Sequence, residues 1–260
     1  MTRSRTERRR KSADRYKLIF GQPAFVRRGR TERRIALITG AGRGLGRAIA
    51  LKLAGKGFAL ALTARGFEEL AETRRLSGLA AYDALIILAD LSLDDAPDQI
   101  FGAMIEHYGR LDVLVNAAYA NAGNSSLLEL EAAEQDRLLA VNLRAPIALA
   151  RMACQRLRKQ AGGTIVNFVR SNDSPRINPV TAAIEAGIVA FSQAAAGNLL
   201  VEQIRIAAIP IMPFITASAQ SCVSAAFQVR PTCGHTSTVD DVMAFIEAGR
   251  DGRAAAAVED

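Results

Sequence analysis

The chain has 260 residues, of which half are hydrophobic, and its formal net charge is +7. This length supports one sizeable core, and the sequence has no run of about 18 uncharged apolar residues, which argues against a membrane-spanning protein. Three scattered cysteines, two histidines and no secretory signal argue against a disulfide framework and a metal site, and they predict a cytoplasmic protein.

The positive charge is concentrated at the start of the chain. Residues 1–34 hold 13 Lys/Arg against 3 Asp/Glu, whereas the remainder is slightly acidic. Blocks of like charge without apolar periodicity usually stay disordered, so residues 1–33 are expected to form a disordered basic extension. An arm that binds nucleic acid is the alternative. One domain is expected over residues 34–250, with a short tail over 251–260.

The segment IALITGAGRGLGRAIA at 35–50 predicts a strand, a tight turn and a helix. Glycine tolerates positive φ and lets backbone N–H groups approach phosphate oxygens without an intervening Cβ. A glycine next to the helix also permits close packing of helix on strand. This context favours a dinucleotide-binding turn over an ordinary Gly-rich turn. The predicted contacts are Thr39, Gly40, Gly42, Arg43, Gly44, Leu45 and Gly46.

Strands and helices are predicted to alternate along the rest of the chain. This order implies an α/β fold, a Rossmann-like doubly wound parallel sheet with helices on both faces, in a single domain. Ligands of such sheets bind beyond the carboxyl ends of the strands. The predicted strands are 35–39, 58–63, 84–89, 112–115, 163–168 and 204–209, and the predicted helices are 43–56, 67–76, 96–108, 132–160, 181–200 and 239–247.

The residues after the second and third strands bear on cofactor choice. An acidic residue at the end of the second strand would bind the adenosine ribose of NAD, but Ala64 stands there and the cation Arg65 follows. Together with Arg43, Arg65 suits a phosphomonoester, which favours NADP(H) over NAD; solvated surface arginines are the alternative. The carboxylate of Asp90, which Leu91 follows, either accepts a hydrogen bond from an adenine amino group or caps a helix or a loop.

Five segments together resemble the short-chain dehydrogenase/reductase family over about residues 34–250. They are TGAGRGLG at 39–46, Asp90-Leu91, LVNAA at 114–118, AVNL at 140–143 and GTIVNF at 163–168. The resemblance implies a Rossmann-like domain, a nicotinamide cofactor and a homodimer or homotetramer.

The family's Asn-Asn-Ala-Gly stretch is only partly retained. It reads Asn116-Ala117-Ala118-Tyr119 here, and the resemblance implies cofactor contacts at the first three positions. VNLRAP at 141–146, INP at 177–179 and the residues Pro213, Ser218, Gln220 and Ser221 are similar to the pteridine-reductase-like branch of the family. No substrate follows from these segments.

The family's catalytic residues are mostly replaced. The resemblance implies a tyrosine as acid and base, a lysine four residues later, a serine or aspartate after the fifth strand, and an asparagine. Alignment of the flanking motifs places Thr181, Glu185 and Arg170 at the first three positions, with Ser171 beside Arg170, and retains only Asn142. An alcohol is a far weaker acid than a phenol, and a carboxylate raises the pKa of a neighbouring hydroxyl.

The ordinary proton relay is therefore missing, and three interpretations remain. The chain is an NADP(H)-binding oxidoreductase with impaired or lost activity, a non-catalytic regulator or scaffold on the same fold, or a pteridine-reductase-like enzyme with an unusual relay. Tyr119 is a candidate for such a relay. Arg170 and Glu185 are expected to form an ion pair across the cleft, so that Glu185→Gln lowers stability.

Overall fold

A computed structural model describes residues 32–122, 128–160, 162–170, 178–211 and 239–248. The predictions for residues 1–31, for Ser171 and Ile177, for Pro213, Ser218, Gln220 and Ser221, and for the tail at 251–260 lie outside the described residues. Six strands are described: β1 Ile35–Thr39, β2 Ala59–Ala64, β3 Ala84–Leu88, β4 Val113–Asn116, β5 Gly163–Arg170 and β6 Ile204–Ile211.

All six strands form one parallel sheet in the order β3-β2-β1-β4-β5-β6. The sheet confirms the predicted Rossmann-like fold. Seven α-helices are described: α1 Gly44–Gly55, α2 Phe67–Ser77, α3 Ala96–Tyr108, α4 Ala132–Leu139, α5 Ala145–Leu157, α6 Pro179–Leu199 and α7 Val239–Ala248.

Alternate residues of β1 supply the two faces of the core. Ala36 and Ile38 pack against α1, α2 and α7, whereas Ile35 and Leu37 pack against α3 and α5. All four of these side chains are fully buried. Because both faces of the sheet are covered, the central strands read as continuous apolar runs.

The helical stretch predicted over 132–160 is present over 132–157 and contains a π-helical segment. It divides into α4 and α5, which are joined by a π-helical turn at Ala140–Arg144. Pro146, in the first turn of α5, has no N–H to donate, and a π turn is one of the few ways in which a helix accommodates an irregular hydrogen-bond ladder. The turn holds Asn142 in the interior, where its side chain is 7% exposed.

The neighbouring pair β1 and β4 lies where the strand order reverses. Thr39 ends β1 beside Asn116, which ends β4. At this switch point the connections leave in opposite directions, and a crevice opens beyond the carboxyl ends of the strands. The sheet therefore brings the glycine turn and the LVNAA segment to one crevice.

Helix α6 buries one narrow face against the sheet. The buried residues Thr181, Ile184, Glu185, Ile188 and Ser192 recur at helical spacing. The segment Pro179–Glu202, with a mean hydropathy of 1.4, is long and apolar enough to span a membrane by length and composition alone. Contacts between α6 and the strands β5 and β6 are those of a helix packed on a sheet.

The apolar residues Ile184, Ile188, Phe191, Leu199 and Leu200, in and just after α6, are more than one stripe facing the sheet requires, and they predict a surface that pairs with a second subunit. Ile184 and Ile188 are 1% and 3% exposed, and Phe191 and Leu199 pack against the core. Leu200, just after the helix, is exposed. Packing within one chain therefore accounts for four of these five residues, and Leu200 is the one that remains at the surface.

Candidate functional site: a crevice beyond the carboxyl ends of the strands

The turn after β1 requires glycine at two positions for different reasons. Gly40 has φ +66°, and a Cβ there would lie 2.8 Å from the carbonyl oxygen of Ala117. A Cβ at Gly46, in the first turn of α1, would lie 2.2 Å from the carbonyl oxygen of Gly40. At Gly44 a Cβ would meet open space. The turn is thus packed tightly at Gly40 and Gly46 and is open at Gly44, as binding of a phosphate requires.

Two residues that the sequence reading missed hold the back of this turn. Thr73, fully buried in α2, donates its hydroxyl to the carbonyl oxygen of Ala41 at 2.9 Å. Arg47 donates Nε to the Thr73 hydroxyl at 3.0 Å, and its guanidinium also bonds the carbonyl oxygen of Gly42. Because these contacts join α1 to α2, no local motif signals them.

Thr39 connects the turn to the end of β4. Its hydroxyl accepts hydrogen bonds from the N–H groups of Ala117 and Ala118, each at 3.1 Å. The structure therefore brings together all the predicted contacts at 39–46 and 116–118. Leu45 and Leu91, each 8% exposed, face the core clusters and hold the turns in place rather than offering polar atoms.

The two predicted phosphate-binding arginines are exposed. Among the residues that the structure describes, neither Arg43 nor Arg65 has a hydrogen-bond or ion-pair partner. Asp90 accepts hydrogen bonds from the Ser92 N–H at 2.9 Å and the Ser92 hydroxyl at 2.8 Å, so it caps its own loop. Burial alone would raise the pKa of Asp90, but these bonds and the charges of Arg65 and Arg137 lower it below its usual value.

Glu69 of α2 places a carboxylate beside the glycine turn, where the sequence analysis did not expect one. A Cβ placed on Gly42 would lie 3.0 Å from Oε2 of Glu69 and 3.6 Å from the Cβ of Ala64. Glu69 therefore supplies an acid beside the end of β2, five positions after Ala64. Glu69 reaches this position only because α2 packs against the glycine turn.

A small pocket lies beyond the carboxyl ends of β4 and β5. It is lined by Asn116, Tyr119, Asn142, Asn167 and Glu185, together with apolar side chains. The Asn116 amide donates to Oδ1 of Asn167 at 2.8 Å, and Asn142 makes two 2.7 Å hydrogen bonds to the backbone of Ala120. These bonds fix the floor of the pocket.

The expected ion pair between Arg170 and Glu185 is absent, although the two residues are in contact. Oε2 of Glu185 accepts the backbone N–H of Arg170 at 2.9 Å. The guanidinium instead lies 5.0 Å above the ring of Tyr119 and donates to Oδ1 of Asn121 at 3.5 Å. Because Arg170 belongs to β5, its amide faces α6 and its side chain extends toward the opposite rim.

Several polar atoms of this pocket are buried without a well-formed hydrogen bond to any described residue. They are Oδ1 of Asn116, the hydroxyls of Tyr119 and Thr181, and Oε1 of Glu185. Buried polar atoms are normally paired, so such a group of orphans in one crevice is what a polar ligand would satisfy.

Burial sets the titration of the two acidic groups in the pocket. It raises the pKa of Glu185 to about 7, against the opposing effects of the Arg170 amide and the Arg170 charge. Burial also raises the pKa of the Tyr119 phenol, with Arg170 opposing and the charge of Glu185 adding to the rise. Within the described ranges, no three His, Cys, Asp or Glu side chains are grouped so that they could hold a metal ion.

Comparison with known proteins decides the family. The short chain dehydrogenase family model matches residues 34–225. The chain belongs to the short-chain dehydrogenase/reductase family. An uncharacterized oxidoreductase of Thermotoga maritima is 36% identical over 135 residues, which are 52% of each protein. A short-chain dehydrogenase/reductase of Armillaria gallica is 35% identical over 174 residues, which are 63% of this chain and 64% of that protein.

Solved structures of the same family superpose on this chain. A short-chain alcohol dehydrogenase of Sinorhizobium meliloti is 31% identical with a TM-score of 0.65, covering 72% of this chain and 75% of that one. A metagenomic short-chain oxidoreductase in complex with NADP is 31% identical with a TM-score of 0.62, covering 70% and 83%. A 3-ketoacyl-(acyl-carrier-protein) reductase of Brucella melitensis, complexed with NADH, is 25% identical with a TM-score of 0.64, covering 69% and 75%. Family neighbours thus bind either NADP or NADH.

The match with the Thermotoga relative spans about half of that protein's length. The family and its oxidoreductase ancestry are shown for this chain, whereas its own activity and substrate are matters for proposal.

Proposed function

We propose that this short-chain dehydrogenase/reductase binds NADP(H) but has impaired or lost reductase activity. One observation carries the proposal: the glycine turn is intact, while Glu185 lines the pocket at the position where the family places lysine, and Thr181 lies one helical turn earlier where the family places tyrosine. Fold alone does not imply function, so the residues of the site decide.

The residues present fit a dinucleotide at the turn. Open space above Gly44 accepts a phosphate at the N-terminus of α1, and the unpartnered Arg43 and Arg65 suit a 2′-phosphate. When bound, the nicotinamide supplies a hydride. Orphaned acceptors at Asn116 and Glu185 suit hydroxyl or amide donors at the other end of the crevice.

The same pocket offers a carbonyl substrate poor proton delivery. The Thr181 hydroxyl is a weak acid, and no described cation replaces the lysine that would lower its pKa. A second candidate function is a reductase that takes its proton from Tyr119 backed by Glu185. The placement of both groups at one pocket favours this alternative. A screen of carbonyl and pterin substrates with NADPH separates the two, because only the second yields turnover.

Cofactor preference tests the adenosine end. NADPH is expected to bind more tightly than NADH, and Arg65→Ala should weaken NADPH by about 10- to 100-fold with little change in NADH, because a charge-assisted bond to the 2′-phosphate is worth about 1.5–3 kcal/mol. Titration calorimetry with both cofactors measures this. The matched variant Glu69→Gln should act oppositely and tighten NADPH, because it removes a carboxylate beside Gly42. Equal affinities in the unmodified protein would contradict the preference.

Restoring the family residues tests the loss of catalysis. The double change Thr181→Tyr with Glu185→Lys is expected to give no turnover while Arg170 and Tyr119 remain, since a guanidinium stacked 5.0 Å above the ring occupies the rim. Adding Tyr119→Gly and Arg170→Ser should open the pocket and permit NADPH oxidation with a carbonyl substrate. Turnover by the double variant alone would show that Arg170 does not block the site.

We further propose that the chain forms a homodimer or homotetramer through α6. Glu185 is the single charged residue in this helix and points inward, so the exposed face of the helix is uncharged and consists mainly of small residues. Isologous pairing of such a face is the commonest route to a dimer. Light scattering at micromolar concentration should give at least twice the monomer mass, and a monomeric mass would refute the proposal. The exposed residues are Pro179, Ala183, Ala186, Ala190, Gln193, Ala194, Gly197 and Asn198.

A further inference from the structure

The two ends of the crevice can be assigned from the topology. The glycine turn lies beside the switch point and takes phosphate, and Glu69, Arg43 and Arg65 lie on the β2 side of it. A dinucleotide that spans the switch point must place its other half over the ends of β4 and β5. That half is the nicotinamide, and the pocket there contains Glu185.

Glu185 is built to keep a carboxyl group fixed in this pocket. Its side chain is 4% exposed, and Oε2 is held by the Arg170 N–H at 2.9 Å. Oε1 is buried without a well-formed hydrogen bond, and the Tyr119 hydroxyl lies close enough to lower the pKa of the carboxyl. The backbone N–H therefore anchors one oxygen, and the other faces the pocket beside the Tyr119 hydroxyl.

We propose that Glu185 makes this pocket select the oxidised form of the nicotinamide dinucleotide over the reduced form, and more strongly as the pH rises. The oxidised nicotinamide ring carries a positive charge, whereas the reduced ring is neutral. A carboxylate in a partly dry site attracts the cationic ring and offers the neutral ring no such gain. The inference rests on the proposed dinucleotide binding and deepens it: the site reads the redox state of its ligand.

The groups around Glu185 set the direction of the pH effect. With a pKa of about 7, the carboxyl is neutral in mild acid and charged in mild base, so the selection should grow from pH 6 to pH 8.5. Arg170, at the end of β5, opposes the effect of burial, but its guanidinium is directed to Tyr119 and Asn121. The Tyr119 phenol stays neutral over this range, because its pKa is raised.

Helix α4 also packs on α6 and brings further charges. Its Arg137 forms an ion pair with Glu134 at the surface, at 2.5 Å, and is thereby held away from Glu185. The carboxyl therefore remains the group within the described pocket whose charge changes between pH 6 and pH 8.5.

The test measures Kd for NADP⁺ and NADPH by titration calorimetry at pH 6 and pH 8.5, at constant ionic strength. Their ratio is the readout, because the 2′-phosphate titrates in both ligands and cancels. In the unmodified protein the preference for NADP⁺ should rise about tenfold over this range, as expected for a charge interaction of about 1.4 kcal/mol. Glu185→Gln should give a ratio that does not change with pH. Glu106→Gln, which removes an exposed carboxylate on α3, should retain the tenfold rise.

The outcomes separate this inference from the proposed function. If neither ligand binds, both are overturned. If both bind with a ratio that is independent of pH, or if Glu185→Gln retains the rise, NADP(H) binding stands and the redox selection is refuted. The unmodified protein alone supplies the first readout, so the test does not depend on the folding of the variant.

Discussion

Gly46→Ala is expected to abolish dinucleotide binding and to lower the free energy of unfolding by about 1–3 kcal/mol. The added methyl would lie 2.2 Å from the carbonyl oxygen of Gly40. Because this oxygen belongs to the backbone, it cannot rotate away as a side chain could, and the turn must move away from α1. That movement spreads the N–H groups that face the phosphate. Thermal or denaturant unfolding and titration with NADPH measure the two effects.

Gly102→Ala is the matched control. Gly102 lies inside α3, and a Cβ there would meet nothing within 4 Å. The change should raise the free energy of unfolding by about 0.5–1 kcal/mol, because alanine loses less conformational entropy in a helix, and it should leave NADPH binding unaltered. Normal NADPH affinity in Gly46→Ala would mean that this turn does not hold the phosphate.

Glu185→Gln is expected to stabilise the protein at pH 8, in contrast to the destabilisation that the ion-pair hypothesis implied. The pKa of Glu185 is about 7 in the folded chain against 4.5 for an exposed carboxyl, so the folded state favours the protonated form. This contribution to stability is present below pH 4.5 and is lost as the pH rises through 7. A shift of this size corresponds to about 3 kcal/mol as an upper limit.

Glutamine mimics the protonated acid and can still accept the Arg170 N–H. The variant and the unmodified protein should therefore have similar free energies of unfolding at pH 5, and the variant should be the more stable by up to about 3 kcal/mol at pH 8. Glu134→Gln, at an exposed ion pair, should change stability by less than about 1 kcal/mol at either pH. A variant that is less stable at pH 8 than at pH 5, relative to the unmodified protein, would restore the ion-pair hypothesis.

A residue that destabilises the fold above pH 7 invites a functional reason. A buried, unpaired carboxylate is costly, and substitutions that remove such groups are commonly stabilising. Glu185 is anchored by one oxygen and leaves the other in the ligand crevice. A cationic ligand ring would offset this cost, which connects the stability prediction to the proposed redox selection.

The sequence by itself determined the fold and the position of the glycine turn. A parallel sheet with helices on both faces follows from the alternation of apolar runs and helices, and the turn at 39–46 is local, because its conformation depends on neighbours in the chain. The register at Thr181 and Glu185 likewise predicts that the family's tyrosine and lysine are replaced. These features depend on residue identity and short spacing.

Only the tertiary structure decided what the charged side chains do. Arg170 and Glu185 were correctly placed near each other, but whether the guanidinium or the backbone N–H meets the carboxylate depends on the direction in which β5 presents each group. Glu69 and Arg47 act across α1 and α2, so no spacing along the chain reveals them. The sequence shows that Glu185 carries an ionisable carboxyl group. Its pKa moves from 4.5 to about 7 because the side chain is buried, and this burial arises only when α6 packs on the sheet.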